Sequence, residues 1–148
     1  MKTHAPASLP VGSLLSSLWL FAILNVLFRD VHEMAEASTI EGILAGTMNG
    51  RPVTERALFF GAFAVELLIA MTLLSRLARP QLARWLNLLA APAAALGVLA
   101  FAPNDPDDVV FAAFQIGAFA TIFVVASRWR TGVTAGARRT ARASSGTA

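Results

Sequence analysis

The chain has 148 residues, 56% of them hydrophobic and only 14% charged, with a mean hydropathy of +0.63, whereas a soluble domain carries about 25% charged residues. It contains no cysteine, which excludes disulfides, thiolate nucleophiles and thiolate metal sites. Net charge is +3 and the isoelectric point about 11.0, but the lysines and arginines flank apolar runs, a signal of membrane topology rather than of nucleic-acid binding.

Residues 1–10 read as a flexible leader with Lys2, His4 and two prolines. Residues 11–28 form the first apolar span, VGSLLSSLWLFAILNVLF. A signal peptide is the rival reading, because Ala35-Glu36-Ala37 offers a small-x-small cleavage pattern. The apolar run is longer than the roughly 7–15 residues of a signal core, and Arg29, Asp30, His32 and Glu33 separate it from that pattern. Residues 29–56 form the longest loop, expected to pack over the outer mouth of the bundle. A short helix is expected at 39–45, started by Ser38 and ended at Gly46; Asn49-Gly50 and Arg51-Pro52 are turn signals. Thr54 is placed to cap the second span, residues 57–75. A short basic link leads to the third span, residues 85–102, where Pro92 predicts a kink. The acidic turn at 103–108 precedes the fourth span, residues 109–127. Residues 129–148 are basic and small-residue rich, as expected of a disordered tail.

Each span suits a bilayer core, which takes roughly 17–25 residues of helix. The fold class is therefore all-α: an antiparallel four-helix transmembrane bundle over residues 11–128, with a long outer loop between helices one and two. Lys2, Arg76, Arg79, Arg84, Arg128, Arg130, Arg138, Arg139 and Arg142 fall on one side of such a bundle, and Arg29, Arg51 and Arg56 on the other. The positive-inside rule then puts both termini in the cytoplasm of a multi-pass inner-membrane protein. Trp85 and Trp129 sit at the proposed inner boundary, where tryptophans gather.

Glu66 is the residue that stands out. It breaks the centre of the second span, where an ionisable group costs at least ~2.5 kcal/mol, so it should be neutral, paired or facing a cavity. Asn25, one helical turn below Arg29, and Gln115, about 9 Å below the start of the fourth span at 1.5 Å per residue, lie in the same half of the membrane. Glu66, Asn25, Arg29 and Gln115 are the candidate polar pocket, with Glu66 facing the interior within reach of Asn25 or Gln115. The alternative is a hydrogen-bonded clasp holding the bundle together. Asn87 lies apart, near the inner end. Small residues spaced by four, Ala57 to Gly61, Ala93 to Gly97 and Ala113 to Gly117, suggest ordinary helix contacts. His32 beside Glu33 and Glu36 lacks further metal ligands and reads as a headgroup-level histidine. Asp105, Asp107 and Asp108 lack the spacing of a calcium loop. Phosphate-loop, nucleophile-elbow and zinc-protease motifs are missing, so the chain is not expected to be an enzyme, and no metal or cofactor is expected.

The chain resembles a family of uncharacterised small bacterial four-helix integral membrane proteins. The stretches that carry the resemblance are LWLFAILN at 18–25 with Arg29-Asp30, LAGTMNG at 44–50 with Val53-Thr54-Glu55, ELLIAMTLLSR at 66–76, and Arg84-Trp85-Leu86-Asn87. The resemblance implies the same topology and no particular reaction. Where this chain has Val65-Glu66-Leu67-Leu68, the family often reads Met-Glu-Ile-Pro, which implies a straighter second span here. Two functions are expected: a small-solute or ion-coupled transport or binding module using Glu66, or a structural or accessory membrane subunit. The expected partners are the lipid bilayer and either a homo-oligomer or a larger membrane complex, with no nucleic acid.

Overall fold

The computed structural model describes residues 10–48, 51–100 and 106–129. Residues 1–9 of the leader, the tail beyond Trp129, the Asn49-Gly50 turn and Asp105 lie outside the described residues. Five α-helices and one two-stranded ribbon form: α1 Val11–Glu33, α2 Ala37–Leu44, β1 Thr47–Met48, β2 Arg51–Pro52, α3 Glu55–Leu77, α4 Pro80–Ala100 and α5 Pro106–Arg128. All but α2 among the helices are long and apolar enough to cross a membrane. Their surfaces fit that role: Phe28, Phe59, Phe60, Leu89 and Leu96 are each more than 60% exposed, a density of outward apolar side chains that water would not tolerate.

The helices extend beyond the apolar runs that predict them. α1 continues to Glu33, α4 starts at Pro80 and α5 at Pro106, because proline suits the first helical turn, where no backbone donor is needed. Thr54 caps α3 as expected, accepting from the Ala57 N–H at 3.2 Å. Glu55 in the first turn and Arg76 in the last complement the helix dipole. α3 is one uninterrupted helix, and α4 also runs on through Pro92.

α1 packs between α3 and α5, and α4 packs on α5 and more lightly on α3. The core is small and tightly filled by Leu15, Trp19, Ala22, Met71, Ala91, Phe119 and Ile122. Trp19 and Phe119 meet at 5.6 Å between ring centroids. On α1 the inward strip is Leu15, Trp19 and Ala22, at spacings of four and three. Ser17 and Phe21 on the same helix are exposed.

Two expectations are corrected here. The glycines at 61, 97 and 117 do not mark close helix contacts: a Cβ built on any of them meets nothing within 4 Å. The close approach is at Gly12, whose Cβ would come within 2.7 Å of the Ser75 carbonyl oxygen, so α1 and α3 touch backbone to backbone at that end. The helix in the loop also does not cover the bundle among the described residues. α2 contacts chiefly β1, and Ile40, Ile43 and Leu44 along it are exposed. α2 starts two residues earlier than expected, with Glu36 and not Ser38 at its N-cap position. It ends at Gly46, which takes φ +74°, a left-handed turn that only glycine adopts without strain.

Candidate functional site

Two hydrogen-bonded polar clusters lie at the ends of the bundle, and Glu66 belongs to neither. At one end the last turns of α1 meet the first turn of α5. Arg29 Nε donates to Asp108 Oδ1 at 2.9 Å, and Nη2 donates to Glu33 Oε1 at 2.7 Å and to Asp108 Oδ2 at 3.5 Å. The guanidinium plane thus faces both oxygens of Asp108, whose side chain is only 9% exposed. Beside it, His32 Nε2 lies 3.1 Å from Asp107 Oδ2, and its ring packs against Phe111. The acidic turn and the arginine of α1 look like separate features in the sequence. The fold makes them one clamp, because antiparallel packing brings the end of α1 beside the start of α5.

At the other end Asn87 is fully buried and joins three helices. Its Oδ1 accepts from Trp19 Nε1 of α1 at 2.7 Å and from Ser75 Oγ of α3 at 3.1 Å. Its Nδ2 donates to Ser75 Oγ at 3.0 Å and to the Ala83 carbonyl at 2.8 Å. Nearby, Arg84 Nε and Nη2 donate to the carbonyls of Ala126 and Ser127 at 3.2 and 3.3 Å. A cation there caps the C-terminal end of α5. Trp19 and Ser75 were not singled out by sequence; the readable signal was Asn87 alone, a polar group buried in an apolar span.

Of the four expected pocket residues, Asn25 and Gln115 lie inside the bundle. Gln115 is 3% exposed, and Asn25 Oδ1 is buried without a hydrogen-bond partner among the described residues. The Arg29–Asp108 and Trp19–Phe119 contacts set the α1–α5 register. Counting from them, Asn25 and Gln115 differ in depth by two or three residues, roughly 3–4.5 Å. Arg29 rims the same region but is held by Asp108 and Glu33.

Glu66 is the correction. It is exposed, as is every residue from 55 to 67, and it makes no hydrogen bond or ion pair to any described residue. α3 packs on the bundle through Met71 and Ser75, with Leu68 partly covered. Ser75 lies nine residues beyond Glu66, two and a half turns at about 3.6 residues per turn, so the two point to opposite sides of the helix. The expected pocket therefore does not close within one chain. Among the described residues no three His, Asp or Glu side chains gather as a metal site.

One family model, that of a family of unknown function, DUF6326, matches residues 11–135, most of the chain. The chain belongs to this DUF6326 family. No curated protein and no solved structure matches it. The DUF6326 match spans all four long helices and both polar clusters.

Proposed function

We propose that this DUF6326 protein is a structural or accessory membrane subunit, and that it assembles with another membrane helix through the outward face of α3. One observation carries the reading: Glu66 sits at the centre of a membrane-length helix, on the side turned away from its own bundle, with no partner in the described chain. A carboxyl group left facing hydrocarbon is costly, and a docked helix removes that cost by hydrogen bonding. The same placement counts against a solute pocket floored by Glu66 in a single chain. The interior groups also favour a structural role: Arg29, Asp108, Asn87 and Ser75 are all engaged with one another or with the backbone.

The membrane is a bacterial inner membrane, with both termini cytoplasmic. The basic residues support this orientation, nine on the terminal side against three among residues 29–56. The resemblance to small bacterial four-helix proteins supports the choice of membrane.

Blue-native electrophoresis and light scattering in mild detergent test the assembly reading. The full chain should run as a complex larger than one subunit, and Glu66→Leu should shift it towards the monomer. A strictly monomeric chain that takes up a solute in proteoliposomes, with uptake abolished in Glu66→Gln, would reverse the reading in favour of transport. Reporter fusions after Asn104 and after Ala148 should report opposite sides of the membrane.

A further inference from the structure

We infer that the helix docked on α3 is α3 of a second copy, packed in parallel so that the two Glu66 carboxyl groups hydrogen-bond to each other across a two-fold axis. The inference rests on the assembly reading and names its partner. Phe59, Ala62, Glu66, Ile69 and Leu73 follow spacings of three, four, three and four along α3, and all five are exposed. That is the seam of a left-handed helix pair. It runs along the side of α3 opposite Met71 and Ser75, so it competes with no contact inside the bundle.

Glu66 lies at the middle of this seam. A single polar residue there selects a partner with a matching group, and in parallel pairs it sets register and oligomer number. Copies inserted with the same topology are related by a two-fold axis along the membrane normal, which places each residue opposite its own counterpart. Two neutral carboxyl groups are self-complementary, since each donates one hydrogen bond and accepts one. Among the described residues of the four long helices, every arginine lies in a terminal turn or near one, away from Glu66 at the centre of α3. Ala62, one turn from Glu66, is small enough to let the two backbones approach.

The absence of cysteine makes the test direct, because each introduced cysteine reports alone. The full chain is reconstituted in lipid vesicles and oxidised with copper phenanthroline. Ala62→Cys and Ile69→Cys, on the seam, should form a cross-linked species of twice the chain mass, and Phe60→Cys and Leu67→Cys, off the seam, should not. The dimer association constant, read by energy transfer between labelled chains, should fall about tenfold in Glu66→Leu, the size expected of two interhelical hydrogen bonds. It should stay near wild type in Glu66→Gln, because two amides can also pair. Equal loss in Glu66→Gln and Glu66→Leu would overturn the carboxyl pair. Purified chains that stay monomeric, while Ala62→Cys cross-links to a different protein in native membranes, would overturn the second-copy partner and leave the assembly reading standing. Monomers with no seam cross-link in either setting would overturn both.

Discussion

Arg29 and Asp108, 79 positions apart in the chain, are joined by an Nε–Oδ1 contact of 2.9 Å that ties the end of α1 to the start of α5. The two residues are not equivalent. Removing Asp108 leaves Arg29 its second carboxylate, Glu33, at 2.7 Å, whereas removing Arg29 strands a buried carboxylate. Arg29→Ala should therefore destabilise the bundle by about 2–3 kcal/mol and Asp108→Ala by about 1. A double-mutant cycle in bicelles, followed by reversible denaturation, should give a coupling of about 1–2 kcal/mol. Equal single costs with no coupling would mean the contact holds nothing.

Asn87, fully buried, and Asn25, half-buried with its Oδ1 covered, should behave oppositely. Asn87→Leu leaves the Trp19 N–H and the Ser75 hydroxyl buried without their acceptor, a loss of about 1–3 kcal/mol. Asn25 Oδ1 has no partner among the described residues to lose, so Asn25→Leu should be neutral or stabilising by up to about 1 kcal/mol. Thermal unfolding of both variants in one detergent makes the comparison. A clear loss in Asn25→Leu would reveal a partner for that oxygen.

Gly12 and Gly61 form a second contrasting pair. A methyl group on Gly12 would meet the Ser75 carbonyl at 2.7 Å, and backbone on both sides cannot swing away. Gly12→Ala should cost about 1–3 kcal/mol by overpacking. At Gly61 nothing lies within 4 Å, so alanine should raise stability slightly, by up to about 1 kcal/mol through helix propensity. The same unfolding assay reads both, and a neutral Gly12→Ala would show that α1 and α3 can separate there without penalty.

α2 should rest in the membrane interface, since Ile40, Ile43 and Leu44 share one side of it and Ser38 and Glu41 the other. A cysteine at Ile43 should be shielded from a charged thiol reagent and quenched by shallow lipid-attached quenchers. A cysteine at Glu41 should react freely. Equal reactivity at the two positions would mean that α2 stands in water.

Much of this was legible without coordinates. Helix number, membrane character, the Thr54 cap and the Gly46 stop all follow from local properties: run length, lack of charge, a hydroxyl at a helix start and a residue free to take positive φ. What the tertiary structure alone decided is which way each helix turns. A soluble helix announces its inward side by periodicity, because water and core differ. A membrane helix meets lipid on one side and packed helices on the other, and both are apolar. The span around Glu66 is therefore equally consistent with that carboxyl facing in or out. The Gly12–Ser75 approach and the burial of Met71 turn it outward. The partners that Arg29 and Asn87 find across the bundle, Asp108, Trp19 and Ser75, were hidden for the same reason, since they lie on other helices whose rotation only packing determines.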